Sequence, residues 1–190
     1  MIKEVSDNRS RIAIAVVLRQ HSPIMRHIIS ILLQNEAGAL ARVAALFSTR
    51  GYNIESLSVA PTEHPEISRM TLVTTGSDAV IDQISKQLLK LVDVVNTADM
   101  TMDDHIEREL LLMKVRMKRG AGDRLSELVE SAGARVLDDA PETYTVELTG
   151  ANERVDEFIA AVGACAEILA VVRSGAMAIA RGHTVLGANF

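Results

Sequence analysis

Asn35 and Gly38 stand three residues apart in a short polar turn, Gln34-Asn35-Glu36-Ala37-Gly38, and Asn53 lies two residues after a second glycine, Gly51. Such residues can hold a small anion. The first amides of a helix have no partner within it and carry a partial positive charge, so they receive a carboxylate or phosphate, with up to ~2 kcal/mol in protected geometry. Gly38 removes the Cβ that would keep the anion away, and the Asn35 side-chain amide both donates and accepts. Asn53 offers the same chemistry from the opposite side if two copies meet. A plainer reading competes: Asn35 caps its helix, with Gly38 tolerated in the first turn. From chemistry alone, capping is the more economical of the two.

A free amino acid has the polarity that the binding reading asks for. Its carboxylate suits the helix mouth, and its side chain would meet Ala37, Ala39, Leu40, Ile54 and Leu57. These favour an aliphatic side chain over a charged one.

Four segments place apolar residues at the spacing of a helix face: Leu40, Val43, Ala44 and Phe47; Ile81, Ile84 and Leu88; Leu125, Leu128, Val129 and Ala132; Val155, Phe158, Ile159 and Val162. Strands are expected between them at 28–33, 54–59, 69–74, 94–98, 111–118, 134–137, 143–149 and 168–172, with hairpin turns at 61–66 and 138–142. The order strand, helix, strand, strand, helix, strand occurs twice. Thr75-Gly76 precedes the second helix and Thr149-Gly150 the fourth, and 149 − 75 gives a repeat of 74 residues. The expected class is α+β, as two tandem ferredoxin-like βαββαβ modules.

In each module both helices cover one face of the sheet. The other face, if apolar, needs a second sheet or a partner protein, so an oligomer is expected. Residues 101–108, with Asp103, Asp104, His105 and Glu107, read as a linker between a module at 26–100 and another at 109–190. Residues 176–180 read as an extra terminal strand, and a short disordered tail is expected from His183. Residues 1–25 read as an N-terminal extension, either pairing as an edge strand or loose.

Composition excludes several classes. A net charge of −5 and five aromatic residues in 190 speak against nucleic acid, whose binders show basic stripes and stacking rings. The apolar run at 12–18 is only seven residues long and lacks a small-residue cleavage site, so it is expected neither to direct secretion nor to cross a membrane. One cysteine, Cys165, cannot close an internal disulfide, and the cytoplasm is the expected compartment. Cys165 reads as a packed core thiol. The five histidines make no His-x-x-x-His spacing, no nucleophile-base pair emerges, and Gly120-Ala121-Gly122 lacks the rest of a phosphate loop, so neither metal nor catalysis is expected of this chain.

The phrases Leu33-Gln34-Asn35-Glu36-Ala37-Gly38-Ala39-Leu40 and Arg50-Gly51-Tyr52-Asn53-Ile54-Glu55-Ser56-Leu57 closely resemble the ACT-domain regulatory (small) subunit of acetolactate synthase, also called acetohydroxyacid synthase. The likeness continues through Ser68-Arg69-Met70-Thr71, Lys90-Leu91-Val92-Asp93-Val94, Glu107-Arg108-Glu109-Leu110, Tyr144-Thr145-Val146 and Arg173-Ser174-Gly175. It implies an ACT domain at 26–100 that dimerises and binds the effector, and a non-catalytic subunit that activates a large catalytic subunit. It also implies feedback inhibition by valine or another branched-chain amino acid, in valine, leucine and isoleucine biosynthesis. The partner so implied is a thiamine-diphosphate enzyme with Mg²⁺ and FAD, while this chain carries no cofactor. The positions matching Asn35, Gly38 and Asn53 line the family's effector site between two small subunits, which favours the binding reading over capping. Two features depart from the family. Met25-Arg26 stands where members commonly begin, and the second module has Gly120-Ala121-Gly122-Asp123 in place of the Asn-x-x-Gly turn. A freestanding amino-acid sensor acting on another protein is the alternative.

Overall fold

The computed structural model describes residues 24–117 and 122–187. The expectations for the N-terminal extension, for Gly120-Ala121 and for the last three residues lie outside them. Thirteen elements follow in chain order: β1 (Met25–Gln34), α1 (Ala39–Thr49), β2 (Ser56–Pro61), β3 (Ile67–Gly76), α2 (Asp78–Leu88), β4 (Val94–Asp99), β5 (His105–Met117), α3 (Gly122–Ser131), β6 (Arg135–Ala140), β7 (Thr143–Gly150), α4 (Asn152–Cys165), β8 (Ala166–Arg173) and β9 (Met177–Ala180). The first sheet runs β2-β3-β1-β4 and the second β6-β7-β5-β8, every pairing antiparallel. This is the ferredoxin-like order twice, and the class is α+β.

Alternation along the strands decides where each core forms. Ile29, Ile31 and Leu33 of β1, with Met70 and Leu72 of β3, face the helices and pack with Val43, Phe47, Ile81, Ile84 and Leu88. The second core repeats the arrangement with Leu111, Met113, Val115, Val146 and Leu148 against Leu125, Val129, Val155, Phe158 and Val162. The 74-residue echo in sequence is therefore structural, since Gly76 ends β3 and Gly150 ends β7. Cys165 closes α4 with its thiol buried against the Val162 carbonyl, a core thiol as expected.

The junction differs from the sequence expectation. Residues 105–108 are not linker: β5 begins at His105, and His105, Ile106, Glu107 and Arg108 pair with Ala180, Ile179, Ala178 and Met177 of β9. Only 101–104 keep the expected irregular character. Charge disguises the strand: Asp103 and Asp104 stand just before it, and within it Glu107 is tolerated because its largely buried carboxylate is paired with Arg26, while Arg108 is exposed.

β9 then lies over the open face of the first sheet. Ala176 and Ala178 are buried with Ile28, Val73 and Met100 in a third small cluster. Residues 183–187 continue across that face instead of forming a loose tail: Arg69 donates to the Leu186 carbonyl at 2.9 Å and Asn96 to the Gly187 carbonyl at 3.0 Å. On the first sheet, part of the face expected to require a partner protein is thus covered by the chain's own C-terminal segment, with Ala176 and Ala178 buried against it, whereas Leu137, Leu169 and Val171 on strands of the second sheet stay exposed.

Candidate functional site

The turn from β1 into α1 is built around Gly38. It is the N-cap of α1, with φ 91° and ψ −14°, a left-handed conformation that disfavours residues with a Cβ. No side chain caps the helix, so the competing reading in which Asn35 is a helix cap is not realised. Instead the Asn35 side-chain nitrogen donates to the Pro65 carbonyl at 2.8 Å, and its backbone nitrogen donates to the Glu66 carbonyl at 2.8 Å. The turn is thereby latched to the β2–β3 hairpin, and among the described residues no donor reaches the side-chain oxygen.

Asn35, Ala37 and Gly38 are exposed, whereas Ala39 is buried and turns into the core. Leu40, expected on the core stripe of α1, is 40% exposed at the helix mouth, because the buried stripe runs Ala39, Val43, Phe47. Asn35, Ala37, Gly38 and Leu40 therefore share one open surface. Asn53 and Ile54 do not join them. They follow the Gly51 stop at the far end of α1, which spans about 16 Å at 1.5 Å per residue. Asn53 is exposed; its carbonyl accepts from the Thr74 hydroxyl at 2.6 Å, and Ile54 packs against the first core. Of the seven sequence-identified residues, four are exposed at the mouth of α1, Ala39 is buried in the core, and Asn53 and Ile54 lie at the other end of the helix.

Arg42 and Asp93 were not anticipated at this site. Arg42 lies one turn after Gly38, and helical side chains lean toward the N-terminus, which brings its guanidinium back over the turn. Its Nη2 donates to Asp93 Oδ1 at 2.6 Å and its Nε to Asp93 Oδ2. The Asp93 side chain is 4% exposed and that of Arg42 47%. The hydrogen bonds from Arg42 hold the Asp93 carboxyl below the usual carboxylate range, and Asp93 in turn raises the guanidinium pKa further. The Asp93 carbonyl also accepts from Gln34 at 2.8 Å, tying the end of β1 to the connection before β4. An arginine four residues after a helix-mouth glycine was a readable signal; its carboxylate partner, 51 residues away, was not.

A second polar region lies between the modules. Arg26, Glu55, Glu109, Asp156, Arg173 and Gly175 are among the residues lining a cleft of about 520 Å³. Arg173 grips Glu109 through two bonds of 2.9 and 2.6 Å and reaches Asp156 at 2.6 Å, while Arg26 pairs with Glu107 at 2.5 and 3.1 Å. Glu109 is 3% exposed, so its charge is held within the protein by arginine. Among the described residues, no group of three or more His, Cys, Asp or Glu side chains is arranged to hold a metal ion, and no helix is long and apolar enough to cross a membrane.

A family profile described as the AHAS small subunit-like ACT domain matches residues 29–96, and one described as the small subunit of acetolactate synthase matches 108–182. The acetolactate synthase isozyme 3 small subunit of Escherichia coli is 44% identical over 162 residues, covering 85% of this chain and 99% of the relative. The acetolactate synthase small subunit of Haemophilus influenzae is 46% identical over 159 residues, covering 84% and 98%. In the crystal structure of the acetolactate synthase small subunit from Thermotoga maritima, which is 34% identical, 100% of that chain and 85% of this one superpose with a TM-score of 0.77. With two ferredoxin-like modules in tandem and full-length identity at this level, the chain belongs to the family of acetolactate synthase small subunits.

Proposed function

We propose that this chain is the regulatory subunit that binds the catalytic subunit of a cytoplasmic acetolactate synthase, raises its activity, and makes it sensitive to valine or another branched-chain amino acid. It would act in valine, leucine and isoleucine biosynthesis. The thiamine diphosphate, Mg²⁺ and FAD chemistry would belong to the catalytic subunit, and this chain would perform none of it.

The observation that carries this reading is the left-handed Gly38 heading α1 without a side-chain cap, beside exposed Asn35, Ala37 and Leu40. Ala39 N–H already donates to the Glu36 carbonyl at 3.2 Å, so the next amides of the first turn and the absent Cβ would admit the carboxylate, Asn35 retains an acceptor for the ammonium, and the apolar neighbours suit an aliphatic side chain. Asn53 and Ile54 complete the site only from a second copy. β2 is an edge strand of its sheet, and β2 pairing across a twofold axis would set α1 of one protomer antiparallel to α1 of the other. Gly38 of one copy then approaches Asn53 of its partner. Effector binding would thus depend on the homodimer, and inhibition requires only that the effector and the catalytic subunit favour different arrangements of that dimer.

The test is a reconstitution: mix the purified chain with its catalytic subunit, then titrate valine. Activity should rise on mixing and fall with valine. With Gly38→Asp, valine should no longer lower the activity reached on mixing, because the new carboxylate occupies the place of the effector's own. Valine sensitivity identical to the parent protein would refute the assigned site, and failure to associate with the catalytic subunit would refute the regulatory role.

A further inference from the structure

The contents of the space vacated by the Gly38 side chain identify one more binding residue. A Cβ built on Gly38 would lie 2.8 Å from Arg42 Nη1, 3.5 Å from Arg42 Cζ and 3.6 Å from Arg42 Nη2. Two of the three guanidinium nitrogens, Nε and Nη2, are committed to the two oxygens of Asp93. Among the described residues, none accepts from the third, Nη1. The guanidinium is therefore clamped along one edge by a nearly buried carboxylate and presents its remaining donors toward the mouth of α1.

We infer that Arg42 Nη1 receives the carboxylate of the amino-acid effector, and that Asp93 is the positioning residue that holds it there. This deepens the reading above and rests on it. An anion admitted by the missing Cβ arrives where Nη1 is within hydrogen-bond reach. It then meets the first-turn amides beyond Ala39, whose own N–H is taken by the Glu36 carbonyl, and a charged donor from the side, a combination that fits a planar carboxylate. Because Asp93 already balances the guanidinium charge, the pair attracts anions weakly at long range and discriminates by geometry at contact. Glu36, in the same turn, also faces Arg42 electrostatically and adds negative charge at the rim. The site therefore favours a ligand with a cationic group beside its carboxylate over a simple anion. Gly38 acquires a double purpose: a side chain there would push against the arginine as well as against the ligand.

The experiment is calorimetry on the full chain with valine, leucine and isoleucine, and with valinamide, which keeps the ammonium and side chain but lacks the carboxylate. The parent protein should prefer valine to valinamide. Arg42→Gln should weaken valine roughly tenfold or more while changing valinamide little, so that the preference collapses, as expected for a lost charge-assisted hydrogen bond. Arg42→Lys should restore part of the difference. Circular dichroism and the dimer mass of each variant exclude a folding defect as the cause. If Arg42→Gln keeps the preference for valine while Gly38→Asp abolishes binding, the effector site stands and the role of Arg42 is overturned. If the parent protein binds none of the three amino acids, the effector reading itself fails and this assignment falls with it.

Discussion

The carbonyl oxygen of Leu57 lies 3.2 Å from where a Cβ on Gly175 would sit, so the turn between β8 and β9 rests directly on the start of β2. The glycine has φ 75°, and the neighbouring Ser174 is fixed in both directions, donating its backbone nitrogen to the Leu110 carbonyl at 3.0 Å and accepting from the Leu110 nitrogen through its hydroxyl at 3.0 Å. The two modules meet here at the Leu57 backbone and at Ser56 Cβ, also 3.2 Å away, neither of which is the far end of a flexible side chain.

Gly175→Ala should therefore destabilise the chain by about 1–3 kcal/mol, combining left-handed strain with a contact that the backbone must yield to relieve. Denaturant unfolding should show a lower midpoint. A midpoint equal to that of the parent would mean that the turn moves freely and that the modules are not packed at this point.

Glu109→Ala should cost about 1–3 kcal/mol. The carboxylate accepts two bonds from Arg173 and is the main reason that the guanidinium pKa is raised, but Asp156 and the side-chain oxygen of Asn152 at 3.0 Å remain as partners after truncation. Glu109→Gln, which retains one acceptor, should fall between. Thermal melts of the three proteins at one pH would rank them.

Asp93 predicts the direction of an acid effect. Its carboxyl pKa is lowered in the folded chain by hydrogen bonds from Arg42, so its contribution to stability is fully present above the unfolded value near ~4 and is lost as pH falls through the lowered folded value. Asp93→Asn should be less stable than the parent at pH 6, and the gap between their melting temperatures should narrow steadily as the pH drops below about 4. A gap independent of pH would show that packing, and not the ion pair, is what the carboxylate supplies.

Much of this protein was written in local pattern. Ile29, Ile31 and Leu33 alternate, Val43 and Phe47 recur at one turn, and Thr75-Gly76 returns as Thr149-Gly150; burial of such stripes has few solutions, so the tandem ferredoxin-like architecture followed from the chain itself. Gly38 was likewise readable as a special backbone position, because a glycine between a polar turn and an apolar helix has few other uses. The role first considered for Asn35 was not: whether its amide caps the helix or reaches Pro65 depends on a hairpin 30 residues away.

Three features were decided only by the tertiary structure, each because it joins distant segments or turns on a phase of the helix that spacing leaves open. Leu40 and Ala39 both fit an apolar stripe, and a rotation of one residue sends the alanine into the core and leaves the leucine at the helix mouth. The strand at 105–108 is concealed by Glu107, Arg108 and the acidic residues before it until β9, at 177–180, returns to pair with it and to pack Ala178 against the first sheet. Arg42 is one of 20 lysines and arginines in the sequence; helix geometry leans it toward Gly38, but only the fold brings Asp93 beneath it and so decides which nitrogen is left free. Local spacing determines which faces must be buried; which charged groups converge is settled by the packing of those faces against one another.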